Sequence, residues 1–210
     1  MPPFSALIVD YGGVLTTPIQ DSMMVFASEL GIELQDLARV ALKAYVDGDD
    51  DLVTSFETGR ISEEEFSKAF AERLSQATGR AIEPHGFVRR MFGNSTLEER
   101  MLEAVARIRD EGFKTALLSN SWGLQGYPRD RFGGLFDEVV ISGEVGLRKP
   151  DPAIFEMTVD RLDVSIEECV FVDDHPGHLK AALAAGMTTV LHRSPDETLP
   201  ELERLFDIEL

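Results

Sequence analysis

Five short apolar runs, each stopped by small or polar residues, constrain the fold of this chain most. Ala6-Leu7-Ile8-Val9 runs into Asp10 and then Gly12-Gly13. The run 115–118 ends at Ser119-Asn120, 139–141 at Ser142-Gly143, and 169–172 at Asp173-Asp174; 188–191 is the fifth. Runs this short and this apolar fit strands buried on both faces. Helical patterns separate them. Residues 97–111 place Met101, Leu102, Val105 and Ile108 on one face and meet Gly112. Pro152 opens a second helix, with Ile154, Phe155, Val159 and Leu162 turned inward, and 179–185 forms a third, closed by Gly186. Alternation of this kind predicts parallel β-α-β units, and hence an α/β fold built on a doubly wound parallel sheet.

The first run and the second are far apart, and residues 17–94 between them show only helical patterns. Met23, Phe26, Ala27 and Leu30 form one stripe; Leu37, Val40, Ala41 and Ala44 form another. Ser62 with Glu65 is a capping box, followed at helical spacing by Phe66, Ala69, Phe70 and Leu74. The expectation is an α/β core of residues 1–16 and 95–210, interrupted by an inserted α-helical cap, 17–94. The stripes are read as the cap's own core.

Charge narrows the partners. With 38 acidic and 20 basic side chains, the net charge is -18. Such a chain repels nucleic acid and anionic membranes at long range. It also repels a small phosphorylated molecule, unless a bound cation or a local cluster reverses the field. No apolar run approaches the roughly 20 residues that span a bilayer. MPPFSALIVDYGG lacks the basic start and the long apolar stretch of a signal peptide. Cys169 is the single cysteine, so no internal disulfide forms. A cytoplasmic location is expected; no feature bears on self-association.

In an open parallel sheet, ligands bind beyond the carboxyl ends of the strands. That edge carries Asp10, Ser119, Asn120, Asp173 and Asp174, and Lys149 in GLRKPDP can reach it. Three carboxylates in one place repel one another. A hard divalent cation with oxygen ligands relieves this, and Mg²⁺ leaves room for water and phosphate. A carboxylate is already ionised at neutral pH and can attack phosphorus directly. Lys149 and the Ser119 hydroxyl would offset charge on the transferring group.

These segments, in this order, resemble the haloacid dehalogenase (HAD) superfamily. VDYGGVLTTP resembles its first motif, LLSNS its second, GLRKPDPAIFE its third and VFVDDHPGHLKAALAAGM its fourth. FETGRISEEEF is similar to the branch holding the phosphatase domain of soluble epoxide hydrolase and small sugar-phosphate phosphatases. The resemblance implies a Rossmann-like core and a Mg²⁺-dependent phosphatase acting on a small phosphorylated metabolite through an aspartyl-phosphate on Asp10. It implies that Ser119 and Asn120 bind the phosphoryl group and that Lys149 balances charge and orients Asp10. Asp10, the Gly12 carbonyl and Asp174 would be metal ligands, with Asp173 in or near the shell.

One position departs from the pattern. Most phosphatases of this superfamily carry a second Asp two residues after the nucleophile, as general acid and base, and this chain has Gly12. That help is typically worth about 10² to 10⁴ in rate. An aryl phosphate needs it less than a sugar phosphate. His178 stands where the fourth motif usually has Asn; His175 and His178 are conceivable substitute acids, against a plainer reading as solvated residues at a helix start. Gly12 also favours a rival reading, a non-catalytic or weakly active binding or regulatory protein. A 2-haloacid dehalogenase is a third reading, disfavoured by the Asp173-Asp174 pair. Asp173 or Asp174 is further expected to cap the following helix.

Overall fold

The computed structural model describes residues 4–46 and 51–210, the side chains of 45 and 46 excepted. Residues 1–3 of the N-terminal stretch and 47–50 of the expected cap lie outside them. The elements are β1 (Ala6–Val9), α1 (Ile19–Leu30), α2 (Leu34–Val46), α3 (Leu52–Glu57), α4 (Glu63–Thr78), α5 (Phe87–Phe92), α6 (Glu99–Asp110), β2 (Lys114–Ser119), α7 (Arg129–Phe132), β3 (Glu138–Ile141), α8 (Ser142–Val145), α9 (Pro152–Leu162), β4 (Cys169–Asp173), α10 (Pro176–Ala185), β5 (Thr188–Leu191) and α11 (Pro195–Phe206).

All five strands are parallel, in the order β3-β2-β1-β4-β5. This is the doubly wound, Rossmann-like sheet that the strand-helix alternation implies. Alternate residues of each strand serve opposite faces. Leu7, Val9, Leu117, Val170 and Val172 pack with Met101 and Val105 of α6 and with Leu202 and Phe206 of α11. Ala6, Ile8, Ala116, Leu118 and Phe171 pack with Ile154 and Phe155 of α9 and Leu179 of α10. The order reverses at β1, where Val9 pairs with both Leu117 and Val172. The residue after it, Asp10, therefore projects at the switch point, where open α/β sheets bind ligands.

Helices α1–α5 bury a separate cluster that includes Phe26, Leu37, Phe66, Phe70 and Phe87. The capping box at Ser62 is present: its hydroxyl accepts from Glu65 N, and Glu65 Oε2 accepts from Ser62 N. The chain leaves and re-enters the sheet region side by side. Thr16 and Leu97 form an antiparallel bridge, Thr17 N donates to Thr96 O at 2.8 Å, and Glu98 N donates to Leu15 O at 2.9 Å.

Two expectations are corrected. Helix α10 begins a turn earlier than its apolar pattern, at Pro176, because proline suits the first helical position. Its cap is His175, whose Nδ1 accepts from Gly177 N at 3.1 Å, not Asp173 or Asp174. The chain also continues past β5 into α11, which completes one face of the sheet. Among the described residues, no helix is long and apolar enough to cross a membrane.

Candidate active site

Lys149 organises the strand ends. It is completely buried, and its Nζ reaches Asp10 Oδ1 at 2.8 Å, Asp173 Oδ2 at 2.7 Å and the Leu118 carbonyl at 3.0 Å. An ammonium taken out of water survives only when its donors are satisfied, and here all three are. Burial works against its charge, but Asp10 and Asp173 outweigh burial and hold the Lys149 pKa above the ordinary value.

Asp10 caps β1, its backbone N–H donating to the Val172 carbonyl at 2.9 Å. Among the described residues, every hydrogen bond to its carboxylate falls on Oδ1, from Lys149 Nζ and from Tyr11 N at 2.7 Å. Oδ2 is left with free lone pairs. Burial, reinforced by the negative charges of Asp173 and Asp174, pushes the Asp10 carboxyl up to about 7 in spite of Lys149.

The two carboxylates after β4 behave differently. Asp173 is fully buried, and both its oxygens are engaged: Oδ2 by Lys149, Oδ1 by His175 N at 2.7 Å, and both by His178 Nδ1 at 3.1 Å. Burial acts to raise it, but Lys149 and His178 prevail and hold it well below the usual carboxylate range. Asp174 is exposed at its edge and lies against the β1 loop, where a Cβ added to Gly13 would overlap its Oδ2. Partial burial and Asp173 raise its pKa.

Ligand atoms of Asp10, Asp173 and His178 fall within 4.8 Å of one another, so an acidic cluster able to hold a metal is present. Asp173 and His178 are, however, already hydrogen-bonded to each other. Among the described residues, no other side chain is hydrogen-bonded to Asp10 Oδ2 or to the Asp174 carboxylate. Against three carboxylates stands one ammonium, and this local excess of negative charge on hard oxygen donors fits a divalent cation.

The remaining residues fall into place around this centre. Ser119 ends β2, buried, with its Oγ 2.9 Å from the Tyr127 hydroxyl. Asn120 is expected at the phosphoryl group, yet its carboxamide is turned on Lys149, donating to Lys149 O at 2.9 Å and accepting from Lys149 N at 2.8 Å. His178 is not the solvated residue of the plainer reading; it is half-buried on Asp173, and burial depresses its pKa. His175 is exposed, as that reading holds.

A cavity of about 600 Å³ opens between the strand ends and the inserted helices, reached from Asp10 through its chain neighbours Tyr11 and Gly12, which line it. Gly12, Ser119 and Asn120 line it from the sheet; Ile19, Val88, Arg89 and Phe92 line it from the helices. Among the described residues, Arg89 is the one Lys or Arg of the inserted segment that lines this cavity. Arg60 pairs with Asp51, Arg90 pairs with Glu29, and Lys43 lies on a separate groove between α2 and α4. Trp122 lines the cavity and also packs against Phe66 and Phe92 at 5.7 and 5.5 Å. Tyr127 and Ile19 carry no sequence signal of a site; only the folded chain brings them here.

A family described as haloacid dehalogenase-like hydrolase matches residues 4–186. The chain belongs to that family. This hydrolase is 29% identical over 219 residues to bifunctional epoxide hydrolase 2 of Sus scrofa, covering 98% of this chain but only 39% of the relative. The chain therefore spans about two-fifths of that protein. It is 26% identical to a sesquiterpene phosphatase of Aspergillus oryzae, with 96% of each chain covered. A HAD family enzyme from Bacteroides thetaiotaomicron, solved in complex with magnesium and inorganic phosphate, shares the fold with a TM-score of 0.63 at 20% identity, covering 90% of this chain and 94% of that one.

Proposed function

We propose that this HAD-like hydrolase is a Mg²⁺-dependent phosphatase of a small phosphorylated metabolite, acting through an aspartyl-phosphate on Asp10. One observation carries the reading. A buried carboxylate at the switch point is fixed through one oxygen by Lys149 and Tyr11 N, with the other oxygen left free. Such a group is oriented through one oxygen while the other stays open to attack phosphorus in its ionised form. The phosphatase and epoxide hydrolase relatives support the same reading, as does the fold neighbour that binds magnesium and phosphate.

Asp10, the Gly12 carbonyl and Asp174 would hold the cation, and Asp173 serves Lys149 instead. When bound, Mg²⁺ would offset charge on the phosphoryl oxygens. The chain's own residues do the rest. Lys149 sets the Asp10 rotamer and balances its charge. The Ser119 hydroxyl, held by Tyr127, donates to a phosphoryl oxygen. Asn120 fixes the Lys149 backbone. Residues 17–94 act as a cap over the core formed by 1–16 and 95–210; the paired connection at Thr16 and Leu97 serves as its hinge, and closure excludes water. The protein would work in the cytoplasm, where the buried thiol of Cys169 stays reduced.

The test is a panel of phosphate esters assayed with and without Mg²⁺, on the natural chain and on Asp10→Asn. Turnover that needs both Mg²⁺ and Asp10 is expected. Turnover unchanged in Asp10→Asn would sink the mechanism. Mg²⁺ binding with no turnover would move the protein to the binding or regulatory class.

A further inference from the structure

The space beside Gly12 is filled by hydrocarbon. A Cβ built there would lie 2.5 Å from Ile19 Cδ1 and 3.4 Å from its Cγ1. The first separation is one that real Cβ atoms essentially never show. Ile19 opens α1 and lines the same cavity as Gly12, Ser119 and Asn120. Val88, Phe92, Leu97 and Trp122 extend that apolar lining. A group leaving phosphorus into this cavity meets aliphatic and aromatic surface on the side of Gly12, Ile19 and Trp122, with Thr16, Ser95, Thr96 and Gln125 among the polar lining.

Among the described residues, no ionisable side chain that the α/β core lends to this cavity has a proton free for it. The lining side chains with an ionisable proton are Tyr11, Glu63, His85, Arg89 and Tyr127. The Tyr127 hydroxyl is bonded to Ser119, and burial raises its pKa. The Tyr11 hydroxyl is turned on the Gly126 carbonyl, to which it donates at 3.5 Å. An arginine does not release its proton. Glu63, on α4, and His85, in the loop before α5, line the cavity from the inserted segment and not from the strand ends that hold Asp10.

We infer that the cavity takes an aryl phosphate, a phosphomonoester of an apolar phenol that leaves as its anion without a proton from the protein. The inference rests on the phosphatase reading and narrows it. In the first step, Asp10 Oδ2 forms a bond to phosphorus while the bond from phosphorus to the aryl oxygen breaks. The bonding pair stays on that oxygen, so total charge is unchanged, and the aryloxide takes its proton from water after departure. Water then cleaves the aspartyl-phosphate, returning the Asp10 carboxylate and inorganic phosphate. An alkyl ester would have to expel a far more basic alkoxide, and there the missing general acid costs about 10² to 10⁴ in rate.

The experiment measures kcat/KM of the full chain with Mg²⁺ on substituted phenyl phosphates of graded phenol acidity, with hexyl phosphate and glycerol phosphate as alkyl esters. The rate is expected to fall steeply as the phenol becomes less acidic. Both alkyl esters should lie about 10² to 10⁴ below phenyl phosphate. The double variant Gly12→Asp with Ile19→Ala, which makes room for an acid, should flatten the slope and raise the hexyl ester. The slope of the natural chain decides the matter even where that variant fails to fold. A shallow slope, or hexyl phosphate turned over as fast as phenyl phosphate, overturns the inference. Loss of the hexyl activity in Glu63→Gln or His85→Gln would then reveal the acid that the inference denies. If no ester shows turnover that depends on Asp10, the phosphatase reading itself falls, and Asp10→Asn separates that outcome from the others.

Discussion

Asn120 holds Lys149 by its backbone while Lys149 holds Asp10 by its side chain, so the position of Asp10 depends on a carboxamide that never touches it. The two bonds at 2.9 and 2.8 Å consume the Oδ1 acceptor and one Nδ2 hydrogen. Asn120→Ala removes both and leaves a buried N–H unpaired, at about 1–3 kcal/mol of stability. A small displacement of a reacting group costs about 10²-fold in rate. The expected outcome is a loss of that order in kcat, with KM little changed, measured on an aryl phosphate beside a urea titration. Asn120→Asp keeps the acceptor but sets a carboxylate against Lys149 O, so it should rescue little.

Lys149 itself bridges two buried carboxylates. Removing one partner of a buried ion pair costs about 3–5 kcal/mol, because charge is left uncompensated. Lys149→Met should therefore lower the urea midpoint sharply at neutral pH. Adding Asp173→Asn removes one orphaned charge and should restore part of the loss. Equal stability of the single and double variants would show that Asp173 does not depend on Lys149.

The sheet was legible because each strand is apolar throughout and stops at a polar residue; all five lie where 6–9, 115–118, 139–141, 169–172 and 188–191 place them, within a residue. The strand-end residues were legible for the same reason, since β1, β2 and β4 terminate on them. The roles within the cluster were not. Asp173 and Asp174 are adjacent and chemically identical, and only the pleat decides that one turns onto Lys149 and the other toward the loop at Gly13. Nor could spacing reveal that Asn120 faces a backbone, that Tyr127 meets Ser119, or that Ile19 covers Gly12. Each is a contact between segments distant or unrelated in pattern. Helix α11 did carry a signal, with Thr198, Leu202, Leu205 and Phe206 buried on one face.

Gly13 provides a test of the proposed cation site that leaves Asp10 in place. Its φ is 77°, in the left-handed region, and a side chain there would meet the Asp174 carboxylate. The left-handed backbone alone costs a non-glycine residue about 1–2 kcal/mol. Gly13→Ala should also move Asp174 and weaken the cation. A ligand that binds only the folded state stabilises it by about 2.7 kcal/mol at 100 times its Kd. Mg²⁺ should therefore raise the Tm of the natural chain, and EDTA should reverse this. The increment should shrink in Gly13→Ala and vanish in Asp174→Asn. A full Mg²⁺ increment in Asp174→Asn would remove Asp174 from the ligand set.

His192 makes stability depend on pH at a distance from this chemistry. It follows β5, is buried, and its Nδ1 lies 2.8 Å from the Thr198 hydroxyl. Burial lowers its pKa, against the opposing pull of Glu98 and Glu197. The unfolded chain thus binds a proton, from about pH 6.5 downward, more readily than the folded one. The stability His192 contributes is complete above that pH and is lost as pH falls toward the depressed folded value, with a slope of at most about 1.4 kcal/mol per pH unit for one proton. His192→Gln removes the titration. At pH 8 the variant should be the less stable, by about 1 kcal/mol for the hydrogen bond and packing it loses. At pH 5 the gap should narrow or reverse. Urea midpoints of both chains at the two pH values decide it; a gap that stays constant would mean that His192 is protonated as easily inside the fold as outside it.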